Sequence, residues 1–461
     1  MTSPLWTSDE IAAATGGRAS QAFDVTGVTF DSREAGPGDL FLAMPGSLYD
    51  GHDFLDKAFA GGAEAAVVSR PIERPHVLVE DVAAALEALG RAARARTSAT
   101  VLGVTGSVGK TSTKEALFAA LDRGHPGQVH RSVKSYNNHT GVPLSLARMP
   151  RDPTFAVIEM GMNNAGEIAA LTRQVRPHLA LVTAIAPAHI ENLGSEEAIA
   201  DAKGEIFEGL EPDGIAIIPN GTPHRDRLVK AARRHADRII TFGSGDADVH
   251  AVHAVSSEGG SLISAALLER ELTFTISQRG DHWVSNALAV LAAVEALGED
   301  VAVAGLALAD MGGLKGRGAR HRVALADGEA LLIDESYNAN PASMAATLKS
   351  FGEEREVVRR IAVLGPMREL GAHADALHAG LAPAILDAHV DRLILISDDM
   401  RPLAEAIVGK VSFDLVDSVG EATGLLTQIL RPGDAVLVKA SNSIGLAALV
   451  EAVKEGAPCS T

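Results

Sequence analysis

The sequence holds one cysteine among 461 residues, Cys459 in a small polar C-terminal tail, so no disulfide framework can staple the fold. That scarcity fits a reducing cytosol. No uninterrupted apolar run approaches the ~20 residues that cross a bilayer. The opening MTSPLWTSDEIAAATGG has neither the basic start nor the apolar centre of a signal peptide, so a soluble cytoplasmic protein is expected. Positive charge is also in short supply: 41 Lys and Arg stand against 59 Asp and Glu, a net −18. This argues against general nucleic-acid binding, but leaves room for a local basic pocket around an anionic metabolite.

What is present is α/β material in quantity. The length is about three times a typical ~150-residue domain. Short apolar runs at 99–105, 155–160, 179–185, 215–219 and 238–242 alternate with helical patterns such as 111–121 and 196–210. Near-continuous apolar strands with helices between them predict parallel sheets covered on both faces. After about 245 the strands alternate in character (VHAVHAV, GSLISAALL, ELTFTIS), which predicts an antiparallel excursion, followed by a helix at 284–297. A glycine-rich segment, 312–318, precedes a second series with strands at 330–334, 360–364, 392–397 and 435–439. Three domains are expected: 1–92, 93–318 and 319–461.

Glycine is missing where the general phosphate-loop pattern G-x-x-x-x-G-K-[ST] needs it first: that position is Val104. The stretch ATVLGVTGSVGKTSTKEAL still reads strand, glycine turn, helix, the arrangement that aims free N–H groups and a dipole end at phosphate. Lys110 can reach the β/γ-phosphates and the Thr111 hydroxyl can ligate Mg²⁺. Downstream, a helical wheel over 195–210 puts Lys203 in the middle of the stripe Ile199, Ala202, Ile206, Phe207 and Leu210. A lysine so placed snorkels, pairs or is chemically changed. Glu159 ends one strand and His189 follows another, at carboxyl ends where ligands gather in open α/β sheets.

These residues, in this order, resemble the Mur ligase superfamily of ATP-dependent amide-forming enzymes. Its loop is T-G-[ST]-x-G-K-[ST], matched by Thr105, Gly106, Ser107, Val108, Gly109, Lys110 and Thr111. Further matches are NNHTGVPLSL (137–146), EMGMNNAGEIAAL (159–171), AHIENLGSEEAIADAKGEIF (188–207), DHWVSNALAV (281–290), DESYNANPASM (334–344), LGPMRELG (364–371) and VLVKASNS (436–443). Within the superfamily they are similar to the branch that adds D-alanyl-D-alanine.

The resemblance implies a small N-terminal α/β UDP-binding domain, suggested by DSREAGPGDLFLAMPGSLYDGHDF (31–54), a central P-loop parallel-sheet ATPase domain and a C-terminal Rossmann-like α/β domain. It implies ATP held from Thr105 to Ser112, with Asn286 at adenine and Glu335, Tyr337, Asn338 and an arginine reaching the nucleotide from the C-terminal domain. Arg317 and Arg320 both qualify. Thr111 and Glu159 would ligate Mg²⁺, with His189 at a second ion. Lys203 would carry a CO₂-derived carbamate and serve the metal site. Lys110, Glu159, His189 and Lys203 thus form the expected catalytic set.

Ser32, Arg33, Asn137, Asn138 and Thr140 would bind the UDP-substrate. The implied substrates are UDP-N-acetylmuramoyl-tripeptide and D-Ala-D-Ala, joined through an acyl phosphate by a monomeric enzyme with a hinge near 312–320. Departures from the family pattern are Glu335 for Asp, Pro366 for Asp, Ala440 for Gly and Asn442 for Arg. A MurE-type ligase, a folylpolyglutamate synthase and a non-ligase P-loop NTPase are the alternatives. SYNANP, the N-terminal DSREAGPGDLF and the presence of Lys110, Glu159 and Lys203 respectively speak against them.

Overall fold

The computed structural model describes residues 4–46, 49–187, 190–257 and 260–456. Its first sheet has the strand order Arg18–Ala19, His76–Leu78, Ala65–Val68, Asp39–Leu42, Gly27–Thr29, beside a small pair of Trp6–Thr7 with Asp24–Val25. The helix Val82–Arg96 follows, started by Asp81, whose carboxylate accepts the N–H groups of Ala83 and Ala84. It runs across the boundary expected at 92–93. Leu86 and Leu89 from this helix share one apolar core with Leu40 and Val67 of the first sheet and Val142 and Ile158 of the centre.

The central sheet has nine strands. From one edge come Val129–Arg131, Phe155–Glu159, Thr100–Thr105, Leu179–Val182, Ile215–Pro219 and Arg238–Gly243, all parallel. Apart from the half-buried edge strand Val129–Arg131, their apolar runs are buried on both faces, as expected of a parallel sheet. The expected antiparallel excursion is present: Val249–Ser257, Gly260–Ala266 and Glu271–Ile276 form a meander at the other edge. Its Val252, Val255 and Leu262 are exposed, and Val255 stands opposite Leu262 across the strand pair.

The third sheet runs Ala319–Leu325, Gly328–Glu335, Asp434–Lys439, Arg359–Leu364, Arg392–Ile396, Ser412–Val416. Only the first pair is antiparallel. Separate apolar clusters lie on its two faces.

One expected helix differs. The run 196–210 is an α-helix only over Glu196–Gly204 and tightens to a 3₁₀ turn over Glu205–Gly209. Glu205, at the change, accepts the N–H groups of Gly166 and Ala169, at the start of the helix Glu167–Val175.

The central and C-terminal domains touch through polar links. Arg279 pairs with Glu354 at 3.1 Å and Lys349 with Asp281 at 2.6 Å, while the Ser135 and Tyr337 hydroxyls are hydrogen-bonded. No helix among the described residues is long and apolar enough to cross a membrane.

Candidate active site

Strand register assembles the site. Glu159 is paired with Val104 and Val182 with Thr105, so three strand ends finish level where the glycine loop begins. Val104 is wholly buried inside its strand, which is why the chain has no use for a glycine there. Gly106 and Gly109 are different. Their φ angles are +147° and +82°, and a Cβ would lie 1.9 Å from Thr183 Oγ1 at the first and 2.8 Å from Asn286 Oδ1 at the second. The neighbouring strand end clamps the loop: Ser107 N–H donates to the Ala184 carbonyl at 2.8 Å and Thr183 Oγ1 to the Val108 carbonyl at 2.5 Å. Gly109 precedes the helix Lys110–Gly124, and Lys110 Nζ donates back to the Gly106 carbonyl at 2.8 Å.

Beside this loop stands Glu159, 1% exposed. Its Oε1 accepts the Thr111 hydroxyl at 3.1 Å and Asn137 Nδ2 at 2.7 Å, whereas Oε2 has no hydrogen-bond partner among the described residues. Burial holds the pKa of Lys110 below its ordinary value; nearby Arg317 lowers it further and Glu159 acts against both. Lys203 is fully buried, as the wheel predicts, and its Nζ has no hydrogen-bond partner among the described residues. Burial first, and then the charge of Lys110, push its pKa far below the usual lysine range. His189 lies outside the described residues.

No group of three or more His, Cys, Asp and Glu that could hold a metal occurs among the described residues. A hydroxyl and one carboxylate with a free oxygen nevertheless fit Mg²⁺, which keeps several waters and takes much of its shell from substrate phosphates.

A cavity of about 500 Å³ opens between the central and C-terminal domains. It is lined by the loop from Ser107 to Ser112, by Glu159 and Asn286, by Arg317 within the glycine segment, and by Glu335, Tyr337 and Asn338 beyond it. The Arg317 guanidinium lies over the Tyr337 ring, 4.0 Å from its centre. Arg320 does not line this cavity: Glu354 holds its guanidinium with two bonds of 2.7 Å. Of the two arginines, the fold therefore brings Arg317 to the cavity beside the glycine loop and leaves Arg320 out. Glu335 is paired with Lys439 at 3.2 Å, and the same ammonium donates to the Asn338 carbonyl at 3.0 Å.

The residues expected at the UDP-substrate are divided. Asn137 and Asn138 line the cavity, but Asn137 is bound to Glu159, and Asn138 Oδ1 accepts the N–H groups of Thr140 and Gly141 and the Thr140 hydroxyl, at the start of the helix Gly141–Ala147. Ser32 and Arg33 sit in a turn of the N-terminal domain, away from the cavity lining. Arg33 forks onto Asp31, at 2.9 Å and 2.6 Å, and this bond holds the Asp31 carboxyl down at about 2.

Two buried lysines at this site, Lys114 and Lys439, escape the sequence reading. For Lys114 a signal exists: it falls on one helical stripe with Leu117 and Leu121, as Lys203 does on its own helix.

Three family models cover most of the chain: "Mur ligase family, catalytic domain" over 24–100, "Mur ligase middle domain" over 104–294 and "Mur ligase, glutamate ligase domain" over 319–442. The sequence is also 35% identical, over 444 residues, to the UDP-N-acetylmuramoyl-tripeptide–D-alanyl-D-alanine ligase of Synechocystis, covering 94% of this chain and 92% of that one. The chain belongs to the Mur ligase family. The UDP-N-acetylmuramoyl-tripeptide–D-alanyl-D-alanine ligase of Escherichia coli is 34% identical, with 95% of this chain and 96% of that protein covered. Among solved Mur ligases, MurF from Acinetobacter baumannii superposes with a TM-score of 0.84 at 28% identity, covering 98% of this chain and 99% of that one. MurF from Thermotoga maritima in complex with ADP gives 0.77 at 27% identity, with 93% and 97% covered.

Proposed function

We propose that this Mur ligase joins D-Ala-D-Ala to UDP-N-acetylmuramoyl-tripeptide at the expense of ATP, producing the pentapeptide precursor of peptidoglycan. The carrying observation is the conjunction of a glycine loop of phosphate-binding type, Thr111 bound to a buried Glu159, and a fully buried Lys203 whose amine has no hydrogen-bond partner among the described residues.

In the first step the tripeptide carboxylate attacks the γ-phosphorus of ATP, and ADP leaves. In the second the D-Ala-D-Ala amine attacks the acyl phosphate; phosphate leaves and the amine loses a proton. Two anions meet in the first step, so the positive groups decide its rate. Lys110 would exchange the Gly106 carbonyl for phosphate oxygens, and the amides from Gly106 to Ser112 would orient them. Thr111 and Glu159 would hold Mg²⁺, with His189 at a second ion. Mg²⁺ supplies charge neutralisation on the transferring phosphoryl group.

Lys203, whose burial pushes its pKa far below the usual lysine range, is suited to take up CO₂ with loss of a proton, giving an anionic carbamate facing the metal site. Asn286 would contact adenine, Arg317 the nucleotide, and Ser32, Arg33, Asn137, Asn138 and Thr140 the UDP-substrate. The segment 312–320 would act as the hinge through which the C-terminal domain closes and excludes water from the acyl phosphate. Scattering with and without ATP and UDP-substrate is expected to report compaction; identical profiles would count against the hinge. We take the enzyme to act as a monomer in the cytoplasm, where its ATP and nucleotide-sugar substrates are found.

The deciding assay follows phosphate release from ATP with UDP-N-acetylmuramoyl-tripeptide, with and without D-Ala-D-Ala. Release should require both substrates and match the amount of pentapeptide formed. Release indifferent to both would sink the ligase reading.

A further inference from the structure

One fully buried ammonium has no part in the chemistry above. Lys114 stands one turn after Lys110 in the helix Lys110–Gly124, and none of it reaches solvent. A buried ammonium is tolerated only where its donors are taken. Lys114 Nζ donates to the Ser132 carbonyl at 3.0 Å and to the Lys134 carbonyl, and lies 3.0 Å from Glu115 Oε1.

Those two carbonyls belong to the segment that leaves the strand Val129–Arg131 and runs to Asn137. The same segment grips Glu159 twice. Glu159 N–H donates to Ser132 Oγ at 3.0 Å, and Asn137 Nδ2 donates to Glu159 Oε1 at 2.7 Å. The other oxygen, Oε2, lies 3.9 Å from Lys114 Nζ. One ammonium thus pins the bracket that holds the carboxylate and faces the oxygen the bracket leaves free.

We propose that Lys114 is a positioning residue for Mg²⁺–nucleotide binding, acting through segment 132–137 on the aim of Glu159. This rests on the assignment of Glu159 to Mg²⁺. Without metal, ADP phosphates need only the loop amides and Lys110, so a lysine that merely supports the fold would weaken ADP binding with and without metal alike. A lysine that aims Glu159 affects only the gain in affinity that Mg²⁺ brings.

The test measures ADP affinity of the full chain by calorimetry, in EDTA and in saturating Mg²⁺. Wild type and Glu159→Gln set the scale. If Mg²⁺ raises the affinity of both equally, the Glu159 assignment fails and the proposal with it. If Glu159→Gln loses the gain, Lys114→Met and, independently, Ser132→Ala are expected to lose about 10- to 100-fold of it, with the affinity in EDTA unchanged. Ser132→Ala removes only the hydroxyl that takes the Glu159 N–H and tests the segment. Should Lys114→Met not fold, Lys114→Gln, which keeps donors for the carbonyls but removes the charge, takes its place and is expected to lose the same gain. A gain as large as in wild type, or an equal loss in EDTA and Mg²⁺, overturns the role of Lys114 and leaves Glu159 standing.

Discussion

At the scale of single residues, Lys203 separates stability from function most sharply. Its amine is buried without a hydrogen-bond partner among the described residues, so the unmodified side chain opposes folding. Lys203→Met is therefore expected to keep or raise the melting temperature while lowering turnover by about 100-fold. Calorimetry and the phosphate assay check the two halves. Lys203→Ala should recover part of its activity with added formate or acetate; full activity without them would reject the carbamate. This residue was legible from sequence because a single helical wheel sufficed. The bond between Asn137 and Glu159 was not, since it depends on the strands Val129–Arg131 and Phe155–Glu159 lying side by side. Nor was the placement of Arg317 over the Tyr337 ring and of Arg320 against Glu354. Side chains that meet across the chain leave no periodic trace.

At the scale of elements, long apolar strands declared themselves and short ones did not. Phe155–Glu159 and Ile215–Pro219 match their expected positions closely, but Val129–Arg131 and the N-terminal strands of two to four residues are too brief for a period to show. Ala319–Leu325 and Ser412–Val416, at the two edges of their sheet, also went unread. The join between the first two domains shows how helices fix one another. Arg94, 5% exposed on the helix Val82–Arg96, donates to the carbonyls of Val175 and Arg176, both at 2.7 Å, at the end of the helix Glu167–Val175. Two charge-assisted bonds to helix-end carbonyls are lost in Arg94→Met, with an expected cost of about 2 kcal/mol. Urea unfolding measures it, and ADP affinity should not change.

At the scale of the molecule, acid should loosen the fold through buried and half-buried histidines. His178 Nδ1 accepts the Val101 N–H and His378 Nε2 the Met367 N–H, both at 2.9 Å, so each ring is needed neutral at that atom. Burial lowers the pKa of both, and holds that of His130 at about 4. The unfolded chain takes up these protons near pH 6.5 while the folded chain still resists them. Stability contributed by these rings is therefore complete above pH 6.5 and falls as the pH drops toward 4. Melting curves across that range test it; a flat or rising melting temperature would contradict it.

The outward face of the meander, with Val252, Val255 and Leu262, also has a colloidal consequence. At low salt a net charge of −18 keeps copies apart whatever their surface holds. In molar salt the screening length shrinks to about 3 Å, and contact between apolar patches is no longer opposed at a distance. Light scattering should then find self-association that rises with salt. Val255→Thr with Leu262→Thr, which keeps a strand-compatible pair on the same register, should abolish it without moving the melting temperature.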